Sequence, residues 1–207
     1  MQIKNTHWVY QSIMDWSKFS ENRSSLIKIL NQDLDTFYFL RGQISKDDVH
    51  AYLGFYKNQL FIHFIPSSVD CLESFFDEQQ IPKEIYSCLA CKEIPQLDDP
   101  IETEDGLKRI ANWRNPEIRN KVIESSIFYN AFFIPNNNFQ SNMPLKVNFA
   151  LKENVNSNEL QVDLVLSNLD GRQDFLDTCR PVPPFKYDQE SSFALLLYVK
   201  KLGKPQE

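Results

Sequence analysis

Apolar residues recur with helical spacing at the start of the chain and with two-residue spacing further on. Trp8, Val9, Ile13, Trp16 and Phe19 fall on one stripe between Thr6 and about Phe19, which predicts an amphipathic helix capped by Asn5 or Thr6. A second helix is expected from about Ser24, with Leu26, Ile27, Leu30 and Leu34 on its inward side. The pair is read as a helical hairpin packed on a sheet, and Phe37 to Arg41 as a first strand.

The stretch from Val49 to Pro66, VHAYLGFYKNQLFIHFIP, has two alternating runs flanking Lys57-Asn58, the pattern of a β-hairpin. Pairing Phe55 with Leu60, Leu53 with Ile62 and Ala51 with Phe64 makes one face wholly apolar and suited to a core. The other face then carries His50, Tyr52, Gly54, Tyr56, Phe61, His63 and Ile65. A register shifted by one residue would mix His63 into the Leu53 face, so the hydrophobic pattern selects the first alignment. Lys57 fits a two-residue primed turn poorly, so a four-residue loop is expected.

The segment after Pro66 has no clear period, and Glu93 to Asp105 reads as an acidic exposed loop leading into a helix capped by Thr103 or Asp105. Leu107, Ile110 and Ala111 are expected to face inward on that helix. A further helix should start at Asn115-Pro116, a capping residue followed by proline at the first helical position, with Ile118, Val122 and Ile123 buried. Strands are expected at Ser126 to Ile134, Leu145 to Glu153, Glu159 to Asn168 and Phe193 to Lys201. The middle two should pair as a hairpin that buries Val147, Phe149 and Leu151 with Leu160, Val162, Leu164 and Leu166. Lys146, Lys152, Gln161 and Asp163 would then face water. FALLLYV, apolar at both parities, reads as a central strand covered on both sides. Helices early and strands late argue for α+β: one domain over residues 1–207, mainly antiparallel sheet built from hairpins with helices packed on it.

Composition then narrows the function classes. A chain of 207 residues can bury a core without staples. Its net charge of −6 with no Lys/Arg block disfavours a nucleic-acid binder. No apolar run reaches the length of a membrane span and the N-terminal segment lacks a secretory h-region, so no membrane partner and a cytosolic location are expected. The five glycines stand far apart, so no GxGxxG or GxxxxGK[ST] loop can be written; GxSxG and HExxH are missing as well. Aromatic content is high, at 13%.

The sharpest candidate site is the second hairpin face. Tyr52 would lie opposite His63, with His50 as the diagonal neighbour of His63 at about 7–8 Å, a separation at which long side chains meet. Asp47 and Asp48 precede the strand. A zinc site needs three or four convergent ligands and only two imidazoles are placed, so no metal or other cofactor is assigned. The competing reading has both imidazoles filling a partly covered sheet face. Cys88-Leu89-Ala90-Cys91 is a CxxC without a second copy, better read as buried inert thiols than as half a metal site or a redox pair. Lys108, Arg109, Arg114, Arg119 and Lys121 lie among acids, as ordinary helix surfaces do. Arg180 to Phe185 resembles a polyproline stretch and is read as a connection to the last strand.

The resulting expectation is a non-catalytic binding or interaction protein using an exposed aromatic surface toward a protein partner or copies of itself. The alternative is an enzyme or metal-binding protein with its site on the His50/Tyr52/His63 face.

Overall fold

The computed structural model describes residues 7–39, 47–71, 84–93, 104–125, 128–136, 144–154, 157–168, 179–182 and 193–202. Helix α1 (His7–Glu21) buries Val9, Ile13 and Trp16, one face at helical spacing; its expected cap at Asn5 or Thr6 lies outside the described residues. Helix α2 (Arg23–Leu30) follows Asn22, whose side chain accepts the Ser25 N–H and fills the N-cap. Leu26 and Leu30 point inward, and Leu34 lies beyond the helix end. The chain then enters β1 (Thr36–Phe39).

Strands β2 (Val49–Tyr56) and β3 (Gln59–Pro66) pair antiparallel in the expected register, with Leu53 opposite Ile62 and Tyr52 opposite His63. The loop is shorter than expected. Tyr56 pairs with Gln59, leaving two residues, and Lys57 and Asn58 have φ of 49° and 61°. That is the primed turn whose twist matches the strands, and Lys57 accepts a left-handed conformation to make it.

Beyond the hairpin come β4 (Tyr86–Leu89), helix α3 (Glu104–Arg114), helix α4 (Pro116–Ser125) and β5 (Ala131–Ile134). The long strands β6 (Leu145–Glu153) and β7 (Leu160–Asn168), short β8 (Arg180–Val182) and helix α5 (Ala194–Leu202) complete the order. The ladders are antiparallel and build two sheets, β4-β3-β2-β5-β8 and β1-β6-β7. A single bridge between Thr36 and Cys91 ties their edges.

The sheets share one core. Ala51, Leu53, Leu60, Ile62, Phe64 and Phe132 from the larger sheet meet Phe37, Val147, Phe149, Leu151, Leu164 and Leu166 from the smaller. Trp16, Leu26 and Leu30 from the first two helices and Trp113, Val122 and Ile123 from α3 and α4 join the same cluster. On the outer face of the larger sheet, α1 and α5 pack over Tyr52, Ile65 and Ala131. On the outer face of the smaller sheet, Ile110 of α3 sits on Ala150 and Val165. The result is α+β, with antiparallel sheets built on hairpins and helices packed against them.

Four local expectations are corrected. FALLLYV is a helix: Ala194, Leu195, Leu196 and Val199 are buried while Leu197 and Tyr198 are half-buried, so the apolar run wraps a helix against α1. The strand expected from Ser126 is confined to Ala131–Ile134, with Phe128 turned into the central core before it starts. Helix α4 begins at Asn115-Pro116 as expected, with Asn115 Oδ1 accepting the Glu117 N–H. On α3, by contrast, Gly106, Ile110 and Trp113 face inward, and Leu107 and Ala111 are exposed. Finally, β6 and β7 pair as expected, yet Lys146 and Asp163 are buried because α3 covers that face.

Candidate functional site

Packing of α1 and α5 on the β2–β3 face divides its three predicted residues between two buried centres. His50 is 3% exposed, and Tyr52 and His63 are 0% exposed. They share a face, as the register requires, but they converge on different partners.

The first centre is organised by Asp70, four residues past the end of β3. Its carboxylate takes the His50 Nδ1–H at 2.5 Å, the Tyr52 hydroxyl on the same oxygen, and the Leu195 backbone N–H at 3.0 Å on the other. Leu195 lies in the first turn of α5, whose backbone N–H groups have no partner within the helix, so Asp70 caps that helix from a distance. Phe193 stacks on the His50 ring, with centroids 4.0 Å apart. Burial, reinforced by the Asp70 charge and hydrogen bond, raises the Tyr52 pKa well above its ordinary value, so the phenol stays protonated and donates.

The second centre is organised by His63. The Ser12 hydroxyl donates to the Val9 carbonyl at 2.7 Å, so at the Ser12–His63 contact, also 2.7 Å, the imidazole Nε2–H is the donor. That fixes the tautomer. Nδ1 is then an acceptor and takes the hydroxyl of Ser87 on β4 at 2.7 Å. Trp8 packs edge-on against the ring and Phe61 stacks parallel to it. Burial drives the His63 pKa down to about 3, so the ring is neutral at physiological pH. Gly54 leaves the space these groups occupy, because a Cβ there would stand 2.5 Å from His63 Nε2 and 2.6 Å from Ser12 Oγ.

Other candidates are committed elsewhere. Burial pushes the Cys88 thiol up to about 12, helped by neighbouring Cys91, and that thiol is raised by burial and by Asp35. Both therefore lack the thiolate that redox or nucleophilic chemistry needs. The basic residues of α3 and α4 do not converge. Arg109 pairs with Asp105, Arg114 bridges Asp35 and Glu93, and Lys108 and Lys121 are exposed. Buried Arg119 donates to the Trp113 carbonyl and the Asn31 side chain at the ends of α3 and α2. Lys146 reaches Glu93 at 2.5 Å; burial raises the Glu93 carboxyl, but its bonds to Lys146 and Arg114 outweigh this and hold it below the usual range. Among the described residues, no three His, Cys, Asp or Glu side chains are placed to hold a metal ion.

Sequence reasoning missed an open cleft of about 440 Å³ at the corner where α1 turns into α2, beside the β2–β3 tip. Its floor is the stacked pair Phe19 and Phe55, ring centroids 4.0 Å apart and 15° from parallel. Lys18 from α1 and Lys57 from the turn are exposed at its rim, and Asp15 lines it with its carboxylate engaged by Gln11 at 2.8 Å. The available signal was the Lys57-Asn58 tip itself, but nothing local announced that α1 would lie beside it.

No protein-family model, no curated protein and no solved structure matches this chain.

Proposed function

We propose that this chain is a non-catalytic binding protein, and that it binds at the cleft between the α1–α2 corner and the β2–β3 tip. One contrast carries the reading. On the histidine face the polar groups that chemistry would use are hydrogen-bonded to one another or to helix backbone beneath α1 and α5, whereas the cleft presents exposed lysines over an aromatic floor. The cleft is open and shallow, with the Phe19–Phe55 stack and polar side chains together in its lining. The expected exposed aromatic surface has no counterpart among the described residues, whose aromatic side chains are all buried or half-buried. The binding reading is therefore carried by the cleft and not by an aromatic patch. Cys88 and Cys91 are thiols and not a disulfide, which supports a reducing compartment such as the cytosol.

A second reading, an enzyme, draws on one observation: the exposed Ser87 hydroxyl donates to an imidazole whose other nitrogen is held by Ser12. Nucleophile, base and orienting group are thus in a row. The base is the weak element, because an imidazole with a pKa of about 3 does not hold the serine proton at neutral pH. Incubation of the folded protein with a fluorophosphonate, followed by intact-mass measurement, tests the choice. The binding reading expects no adduct; a stoichiometric adduct on Ser87, lost in His63→Gln, would overturn it.

A further inference from the structure

The chemistry of the cleft names a class of ligand. We propose that it takes a small organic anion with an apolar body, the body lying on Phe19 and Phe55 and the anionic group between Lys18 and Lys57; this rests on the binding reading above.

Three features of the cleft point the same way. The half-buried Phe19–Phe55 stack offers apolar surface at the base of an open cavity, where a flat or aliphatic group displaces water from carbon. The charge above it is positive, with two lysines against one carboxylate that already accepts from Gln11, in a chain whose net charge is −6. Among the described residues neither Lys18 nor Lys57 has an ion-pair partner, and the Lys57 ammonium lies over the Tyr56 ring, 5.2 Å from its centroid. Lys57 also takes φ 49°, a left-handed conformation that Asn or Gly adopts more easily, and the residue is exposed in the cleft lining. The start of α2 adds little, because Asn22 already fills its cap.

The anion and the apolar body are separable in an experiment. The probe is 8-anilinonaphthalene-1-sulfonate, with uncharged N-phenyl-1-naphthylamine as its neutral counterpart, each titrated against the folded full chain by fluorescence. The expected result is saturable one-site binding of the sulfonate, with the neutral compound weaker by about tenfold. Lys18→Glu and Lys57→Glu should each weaken the sulfonate by about three- to tenfold, as should raising salt from about 0.05 to about 0.5 M. Lys57→Gly, which relaxes the turn while deleting the cation, should weaken it too. Near-UV circular dichroism confirms that these surface variants keep the fold. Equal binding of both probes, insensitivity to the charge reversals, or no saturable binding of the sulfonate would each overturn the proposal. Those outcomes remove the ligand class and leave the binding reading standing, which falls instead to a fluorophosphonate adduct on Ser87.

Discussion

Replacing His63 with glutamine should flatten the acid side of the protein's stability curve. His63 is wholly buried, and its pKa falls from 6.5 to about 3 through burial. The unfolded chain takes up a proton at this site as pH drops below about 6.5, while the folded protein refuses it until near pH 3, so the unfolded state binds more protons across that interval. Stability supplied by the neutral ring is complete above the unfolded pKa and is lost as pH falls toward the folded one. Each pH unit is worth about 1.4 kcal/mol, which gives roughly 2 kcal/mol between pH 6.5 and pH 5 and about 5 kcal/mol over the whole interval. The upper part of the interval is the useful one, since carboxylates such as Glu93 enter below it. Urea unfolding followed by fluorescence of buried Trp16 and Trp113, at several values from about pH 7.5 to about pH 5, measures the effect. A glutamine amide retains an N–H for Ser12 but does not titrate. The wild-type free energy should therefore fall by about 2 kcal/mol relative to His63→Gln across that range. A difference between the two proteins that stays constant to within about 0.5 kcal/mol would refute the assignment of a neutral, sealed imidazole.

Two further substitutions probe the same face. Gly54→Ala places a Cβ within 2.5 Å of His63 Nε2, displacing the Ser12 hydrogen bond. It should cost about 2–4 kcal/mol by urea unfolding, from overpacking and a buried donor left unpaired; a variant as stable as wild type would mean the site is loosely packed. Asp70→Ala strands the His50 Nδ1–H, the Tyr52 hydroxyl and the Leu195 N–H. The expected loss is about 3–5 kcal/mol, with faster hydrogen exchange throughout α5, and unchanged exchange in α5 would show that Asp70 does not hold it.

Local pattern revealed the elements whose sequence neighbours also decide their environment. The β2–β3 register follows from alternation over eight-residue strands, because a one-residue slip turns Ile62 away from the core and brings His63 onto the Leu53 face. The start of α4 follows from Asn115-Pro116, whose effect is local; α2 was expected from about Ser24, and its cap, Asn22, emerged only in the structure. The turn was harder, since Lys57 pays a conformational cost that the strand twist imposes. Residues 194–199 failed for a more general reason: a short apolar run is equally suited to a strand covered on both sides and to a helix wedged against another helix, and only the docking on α1 decides. Lys146 and Asp163 failed because alternation marks them as polar without showing that α3 covers their face and that Glu93 and Arg109 lie nearby. Of the candidate site, the opposition of Tyr52 and His63 was legible. Asp70, Ser12 and Ser87 were not, since each arrives from a segment whose position depends on the whole fold.

The aromatic excess and the buried histidines have a common explanation. Of the three layers of side chains here, the one between the two sheets and the one beneath α1 and α5 are rich in rings, which fill large area at small entropic cost, while the layer under α3 is aliphatic. Rings alone, however, leave a helix free to slide along an apolar face. His50 and His63 are ring-shaped and take their places in the aromatic layer, one stacked on Phe193 and the other between Trp8 and Phe61. Each also carries two nitrogens with fixed directions. His63 spends one on Ser12 of α1 and one on Ser87 of β4; His50 reaches α5 through Asp70. A register shift of α1 or α5 would break a hydrogen bond inside a dry site, at about 1–3 kcal/mol for each group stranded, whereas a shift of rings on rings costs far less. The histidines therefore set where the two helices dock, and the chemistry that makes an imidazole reactive in water, an accessible proton near neutral pH, is what burial has removed from His63.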